Sequence, residues 1–148
     1  MTSQSTLADG LYTISKNQTT LATLQSVQPG TDIVLLPSSA HEAPDQRWEI
    51  KRTSKGTYTI TNQEISLSYE GEPERRKRIR GYPDDREWSL YKAADPFSYH
   101  VVVPGGPIDG QELAFDVSPL RIFPPLTDLN YLNVEDQKQA WVFTREEF

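Results

Sequence analysis

Each of the three tryptophans of this chain stands in the same short frame, with Gln or Arg two residues before it and an apolar residue two residues after it. The frames begin Gln46-Arg47-Trp48, Arg86-Glu87-Trp88 and Gln139-Ala140-Trp141. Ahead of each frame lies a tyrosine in an alternating segment, at Tyr12, Tyr58 and Tyr99, with spacings of 46 and 41 residues. Self-similarity at such a period dictates architecture, and uneven spacing suits repeats whose strands are fixed in number while their loops vary. We predict three diverged repeats closed into one threefold barrel.

The bulk composition fits many short strands joined by turns. The 148 residues include 11 prolines, 8 glycines and a single methionine, and apolar runs are short. We expect one domain over residues 1–148, with repeats at roughly 9–53, 54–94 and 95–148. Alternation and β-branched or aromatic residues predict an all-β fold of twelve strands, four per repeat. The expected strands are 11–15, 20–26, 32–36, 46–52, 57–61, 65–69, 78–82, 87–92, 98–103, 112–117, 121–123 and 140–145.

The recurring aromatic residues are expected to build the core. A small barrel needs large rigid side chains to fill its interior, and each buried aromatic removes roughly 150–250 Å² from water. The Gln or Arg before each tryptophan lies on the same strand face, so its polar head can bond a carbonyl that would otherwise be buried unpaired. These residues define the fold and leave the function open.

Charge and composition exclude several classes of partner. The formal net charge of -6 argues against nucleic acid and against an anionic membrane surface, because both need a cationic protein surface. The polar N-terminus lacks the regions of a secretory signal, and the chain has no cysteine. We expect a cytoplasmic protein that is a monomer.

No catalytic arrangement is recognisable in the sequence. The two histidines, His41 and His100, have no serine or carboxylate companion in a motif, and zinc-type spacings and phosphate-binding glycine loops are absent. We therefore expect no enzyme activity, no cofactor and no metal.

The threefold pattern with Gln-x-Trp frames resembles the β-trefoil, in which six strands form a barrel and three hairpins cap it. Two trefoil families compete: the ricin-B-like lectins and the mushroom protease inhibitors that include clitocypin and cospin. The opening Asp9-Gly10-Leu11-Tyr12 is similar to the first strand of the inhibitors, and the ending Ala140-Trp141-Val142-Phe143-Thr144-Arg145-Glu146 is similar to that of clitocypin. The resemblance implies an inhibitor that inserts a surface loop into a protease cleft, and for its source it implies a fungus and a role in defence.

The lectin alternative is testable on residues. A ricin-type pocket needs an Asp soon after the first strand, a platform aromatic, an Asn and the Gln of the tryptophan frame. Only the segment after Tyr99 contains an Asp beside glycines, at Gly105-Gly106-Pro107-Ile108-Asp109, and it lacks a clear platform aromatic. Carbohydrate binding is therefore the alternative to protease inhibition, and a trefoil interaction module with neither activity is a third option.

An inhibitor of trypsin-like enzymes must offer Arg or Lys to the primary pocket, whose floor carries an Asp. Three loops do so. Arg121 follows Pro119 and precedes an apolar residue, Arg76 and Lys77 lie in a basic run, and Lys55 follows the first tryptophan strand. An ordinary surface role is about as plausible for Arg121, and for the basic run a solvated loop that offsets acidic residues is the simpler interpretation.

The resemblance implies further loops. In cospin-like relatives the loop between the second and third strands carries a basic residue; here it offers Val27 or Gln28, which suit a protease of other specificity. Other relatives use the loop before the last strand, which here is residues 127–133. Its candidates are Leu129, Asn130 and Tyr131, and Leu129 or Tyr131 would suit a chymotrypsin-like pocket. Asn62 resembles the asparagine through which clitocypin-like relatives inhibit asparaginyl endopeptidase, although asparagine is also a common turn residue. We expect serine proteases as the main partner and asparaginyl endopeptidase as a second target.

Overall fold

The computed structural model describes residues 7–16, 19–37, 43–107 and 110–146. Their regular structure consists of β-strands and two short 3₁₀ turns, Ala43–Gln46 and Gln137–Gln139. The twelve strands are β1 (Gly10–Lys16), β2 (Thr20–Leu24), β3 (Thr31–Pro37), β4 (Trp48–Arg52), β5 (Tyr58–Asn62), β6 (Ile65–Ser68), β7 (Arg80–Tyr82), β8 (Glu87–Lys92), β9 (Ser98–Val102), β10 (Leu113–Val117), β11 (Thr127–Tyr131) and β12 (Trp141–Arg145). The predicted all-β fold is confirmed, and eleven of the twelve predicted segments overlap an observed strand.

The eleventh strand is where the sequence prediction is wrong. It was expected at 121–123, but β11 is Thr127–Tyr131, and its pairing with β10 begins at Thr127 opposite Val117. Residues 121–123 are β-prone by composition, yet Pro124 and Pro125 directly after them have no N–H to donate to a ladder. The apolar run therefore stays outside the sheet.

Six strands close into a barrel. The antiparallel pairings run β1–β4, β4–β5, β5–β8, β8–β9, β9–β12 and β12–β1, which returns to the first strand. The other six strands form three hairpins, β2–β3, β6–β7 and β10–β11. Each repeat of four consecutive strands thus gives two strands to the barrel and one hairpin beside it. Closure removes the open edges of the barrel, so variation is tolerated mainly in the connections.

The three tryptophans play the same part in every repeat. All three are fully buried. Each indole N–H donates a hydrogen bond to a carbonyl in the first hairpin strand of its own repeat, which is β2, β6 or β10. The bonds are Trp48 to Ala22 (2.9 Å), Trp88 to Leu67 (2.8 Å) and Trp141 to Phe115 (2.8 Å). A buried indole needs such a partner. The hydrogen bond fixes each hairpin to the barrel strand that carries the tryptophan.

The residue two positions before each tryptophan bonds a carbonyl, as predicted. The side-chain amide of Gln46 donates to the carbonyl of Pro37 (3.1 Å), and that of Gln139 to the carbonyl of Tyr131 (2.8 Å). In the middle repeat an Arg replaces Gln, and the Arg86 guanidinium donates to the carbonyl of Tyr69 (2.8 Å). Gln and Arg are interchangeable here because both present N–H donors at the end of a long side chain.

Among the described residues, no helix has the length and the apolar character that crossing a membrane would require.

Candidate functional site

The hairpin β10–β11 carries an exposed apolar connection, residues 118–126, which we call the 118–126 loop. Leu120 and Ile122 are each 51% exposed, and Phe123 is 80% exposed. Three of the eight large apolar side chains that are exposed in the described parts of the chain thus lie in one loop. Arg121 sits among them and is also exposed. Contiguous exposed apolar groups of this kind mark interaction sites more often than scattered ones do.

Both ends of the loop are held by hydrogen bonds. The backbone N–H of Ser118 donates to the carbonyl of Leu126 (2.9 Å), which closes the neck. The N–H of Leu35 in β3 donates to the carbonyl of Pro125 (3.0 Å), and the N–H of Leu120 donates to the Ser118 hydroxyl (3.3 Å). The exposed tip therefore rises from a base that is tied to a neighbouring hairpin.

A small apolar cluster lies beneath this base. Val34 and Leu36 of β3 pack with Leu126, all three are buried, and they form a cluster of their own apart from the main core. Val34 and Leu126 also pair as an isolated antiparallel bridge. We call this group the clamp cluster, because it joins one end of the 118–126 loop to β3.

Arg121 makes no polar side-chain contact with the described parts of the chain. Within the described ranges its guanidinium has no hydrogen bond or ion pair. The described residues also contain no group of three His, Asp or Glu side chains that could hold a metal ion. The chemistry that the loop can offer is therefore recognition by a cation flanked by apolar side chains.

Val27 and Gln28 lie in a compact turn between β2 and β3. Both are exposed. The carbonyl of Gln28 accepts the N–H and the hydroxyl of Thr31, at 3.2 and 2.6 Å. Gly30, with φ of +89°, donates its N–H to Gly81 of β7 (2.8 Å). The segment folds back on itself instead of standing out, and its protease-binding role stays a prediction.

The charged side chains of the basic run, residues 76–80, form ion pairs with carboxylates. Arg76 lies 3.4 Å from Asp128, and its backbone N–H donates to Leu129 (2.7 Å). Lys77 lies 3.7 Å from Glu74. Arg78 and Arg80 both reach the carboxylate of Asp32, at 3.6 and 3.0 Å. This arrangement favours the simpler interpretation of Arg76 and Lys77, a loop whose charge is locally compensated.

Asn62 is not presented on a loop, which corrects the placement that the prediction for asparaginyl endopeptidase assumed. It is the last residue of β5, it is only 3% exposed, and it pairs with Ile65 across a two-residue turn. Gln63 and Glu64 form that turn with φ of 52° and 69°, as a tight hairpin turn of mirror-image type requires. The turn points these two side chains outward, while neither amide atom of Asn62 has a hydrogen-bond partner. The Asn62 side chain is therefore not offered to a protease on an exposed loop, and a role in binding asparaginyl endopeptidase stays a prediction.

Leu129 and Asn130 are likewise not loop residues. Both belong to β11, paired with Phe115 and Ala114 of β10, and Leu129 is fully buried in the main core. The loop placement that the prediction assumed is wrong, because the strand misplaced at 121–123 left 127–133 as the apparent loop; protease binding by these two residues stays a prediction.

Lys16 is an ionisable group with a strongly shifted pKa that lies inside the fold. Burial lowers the pKa of Lys16 to about 8, although Asp116 opposes the shift. The Lys16 ammonium donates to the carbonyls of Lys138 and Ala140 (2.9 Å for the latter) and lies 4.3 Å from the Trp141 ring centroid. These contacts join β1 to the last repeat, and they account for the buried lysine as a structural group.

The sequence analysis found Arg121 but missed its apolar neighbours as part of the site. Ile122 and Phe123 were placed in the expected strand 121–123, and Leu120 was left outside that strand without a role. The available signal was the run of prolines at Pro119, Pro124 and Pro125, which brackets the segment and opposes its pairing in a sheet.

Solved structures of known proteins resemble this architecture closely. A ricin B-like lectin from Macrolepiota procera, solved with lactose, matches with a TM-score of 0.76 and 19% identity over 96% of this chain and 100% of the lectin. The Rhizoctonia solani agglutinin gives 0.77 and 18%, over 97% of this chain and 100% of the agglutinin. The designed threefold symmetric protein ThreeFoil gives 0.77 and 15%, over 93% and 100%. The fold is a β-trefoil.

The β-trefoil assignment does not extend to function. All three identities are too low to show more than a shared fold. The two natural proteins are named as a lectin and an agglutinin, so the resemblance to the mushroom inhibitors stays a prediction from the sequence. No protein-family model and no curated protein sequence matches the chain.

Proposed function

We propose that this protein inhibits a serine protease of trypsin-like specificity, with Arg121 in the primary pocket of the enzyme. The observation that carries the proposal is the 118–126 loop, in which Arg121 has no partner among the described residues, lies between exposed Leu120 and Ile122, and stands on a base held by hydrogen bonds. A trypsin-like pocket selects an Arg or Lys side chain through the Asp at its floor. The flanking apolar residues fit the adjoining parts of a cleft.

The exposed apolar groups have the size that tight binding needs. Together the exposed parts of Leu120, Ile122 and Phe123 amount to roughly two fully exposed side chains. Burial of a large apolar side chain contributes about 1.5–3 kcal/mol, so a cleft that covers all three gains about 3–5 kcal/mol before the Arg121 contacts are counted. The same groups cost free energy when they face water.

The fixed base of the loop supports the proposal because it reduces the conformational entropy that is lost on binding. Ordering a flexible loop on binding costs about 0.5–1.5 kcal/mol for each immobilised side chain, and a loop that is already ordered avoids part of this cost. The hydrogen bond from Ser118 to Leu126 holds the two ends together, and the clamp cluster fixes one of them to β3.

The test is a titration of trypsin with the wild type and with two matched variants. We expect stoichiometric inhibition by the wild type, loss of inhibition for Arg121→Ala, and no change for Lys77→Ala, which removes a cation whose charge Glu74 already offsets. Arg121→Phe should move inhibition from trypsin to chymotrypsin, because an apolar pocket accepts an aromatic side chain.

Two results would reject the proposal. The first is intact trypsin activity at micromolar concentrations of the wild type, with chymotrypsin, papain and asparaginyl endopeptidase equally unaffected. The second is the reversed pattern, in which Lys77→Ala abolishes inhibition and Arg121→Ala does not, because it would place the site in the basic run.

Carbohydrate binding is the second candidate, and the comparisons favour it over inhibition, because the lectin from Macrolepiota procera was solved with lactose. The structure offers a polar cavity of about 640 Å³ lined by Asn62, Glu64 and Asp85 among others. None of its described lining residues is aromatic, so these residues provide no flat apolar platform for a sugar ring. For this reason the geometry ranks sugar binding below inhibition.

Lactose titration separates the two candidates. If lactose binds and the double variant Glu64→Gln/Asp85→Asn loses that binding while Arg121→Ala keeps it, the protein is a lectin of this cavity. Absence of binding to lactose and to a panel of glycans removes the second candidate.

A further inference from the structure

An apolar pocket, distinct from the polar cavity described above, lies between β1, β9 and β12, away from the 118–126 loop. Its walls are the rings of Tyr12, Tyr99 and Phe143, and its volume is about 420 Å³. Phe143 stands between the two tyrosines, with edge-on contacts at 6.3 Å to Tyr12 and 5.6 Å to Tyr99. We call this the tyrosine pocket. These three rings are almost fully buried, so the exposed aromatic surface at the pocket is chiefly that of Phe97, which also lines it.

Phe97 stands at this pocket in an unfavourable state. It lines the pocket, its side chain is 69% exposed, and its backbone has φ of +62°. Left-handed backbone is rare for a bulky residue and costs free energy, as does an exposed phenyl ring. The position is fixed nonetheless, because the carbonyl of Phe97 accepts the N–H of Phe143 (2.9 Å). Both the backbone conformation and the exposed ring of Phe97 cost free energy. A bound molecule that covers the ring would explain why the residue is held in this position.

Two cations flank the same rings. The Arg145 guanidinium lies 5.8 Å from the centroid of Tyr12, and the Lys92 ammonium lies 5.8 Å from that of Tyr99. Lys92 donates to the carbonyls of Ala93 (2.7 Å) and Asp95 (2.9 Å). Across the described part of the chain, neither cation has a carboxylate partner. In a protein of net charge -6, a cation that lines an apolar pocket and a second one beside it, neither with a carboxylate partner among the described residues, favour an anion.

We propose that the tyrosine pocket binds a small aromatic carboxylate, with the ring against Phe97 and the carboxylate at Arg145, while Lys92 adds positive charge beside Tyr99. The charge complementarity distinguishes this occupant from a neutral apolar molecule, and the ring faces distinguish it from an inorganic anion. The pocket shares no residue with the 118–126 loop, so the inference stands independently of protease inhibition.

Calorimetric titration at low ionic strength with 2-naphthoate tests the proposal, and 2-naphthalenemethanol serves as the uncharged probe. We expect saturable binding of one naphthoate per chain and binding of the alcohol that is about tenfold weaker or more, from the loss of two exposed charge contacts. The double variant Arg145→Gln/Lys92→Gln should bind naphthoate no better than the alcohol. The matched control Lys51→Gln/Lys55→Gln removes two exposed positive charges elsewhere and should leave the affinity unchanged apart from a small salt-sensitive decrease.

Phe97→Gly supplies a variant that is not expected to unfold. Glycine accepts φ of +62° without strain, so the thermal midpoint should stay level or rise while naphthoate affinity falls about tenfold. Failure of the wild type to bind naphthoate, equal binding of the acid and the alcohol, retention of anion preference in the double variant, or unchanged affinity in Phe97→Gly would each overturn the proposal.

Discussion

Leu126→Ala is expected to turn the 118–126 loop from an inhibitor into a substrate. Leu126 is buried against Val34 and Leu36, outside the main core. Leu→Ala changes in cores cost about 2–5 kcal/mol, and the small clamp cluster can relax, so the lower end applies, about 2 kcal/mol. Because 1.4 kcal/mol corresponds to a factor of ten, the ordered state of the loop base loses up to about thirtyfold in population relative to open states. Inhibition should weaken by up to that factor.

Cleavage of the loop gives a readout that does not depend on inhibition. We expect trypsin to cut the variant after Arg121 faster than the wild type, as followed by mass spectrometry of the intact chain over time. Leu90→Ala is the matched control, since Leu90 is similarly buried but packs in the main core; it should lower the free energy of unfolding without loosening the loop. The reasoning fails if Leu126→Ala inhibits like the wild type and its loop is cut no faster, or if Leu90→Ala gives the same cleavage.

Two further predictions concern the scaffold. Lys16 has a folded pKa of about 8 against 10.5 when unfolded, so the unfolded chain binds the extra proton between these values and the free energy of unfolding should rise with pH across that window, by about 3 kcal/mol in total. Urea titrations at pH 7 to 10 should show this rise in the wild type relative to Lys16→Met, and parallel curves would refute it. Trp48→Phe removes the indole donor to the buried carbonyl of Ala22 and some ring volume, and it should cost about 2–3 kcal/mol in chemical denaturation; a loss below about 0.5 kcal/mol would show that water replaces the bond.

The barrel could be predicted from the sequence because its determinants are local and repeated. A tryptophan such as Trp88 has strand-type neighbours and a fixed partner residue two positions earlier, and the same pattern appears in three places. Twofold alternation reports which side of a strand is buried, so segments such as β8 are found within a residue or two. The donor role of Gln46 also follows from its place on the strand face.

The loops were predicted less well, because their structure depends on contacts between residues distant in sequence. Nothing near Asn62 reveals that its side chain turns inward, since asparagine is equally at home in an exposed turn. The basic run looks free until Asp128 and Asp32 are brought to it by β11 and β3. At Leu129, apolar alternation was present but was outweighed by the more apolar segment before it. For that segment the composition predicts a strand, whereas the prolines exclude it from the sheet.

The free-energy cost of exposing apolar side chains distinguishes protease inhibition from sugar binding better than the fold does. The tryptophan frames stabilise any β-trefoil and therefore say nothing about a ligand. In the polar cavity that could hold a sugar, the Gln63 side chain already donates a hydrogen bond to Asp45 (2.9 Å). None of the described residues that line this cavity is aromatic. The 118–126 loop differs, because Ile122 and Phe123 lose free energy to water as long as they stay uncovered. Proteins are only marginally stable, so exposed apolar side chains on a fixed base are a net cost that a binding partner would offset. The loop, and not the polar cavity, is therefore where a binding partner of this protein is to be sought first.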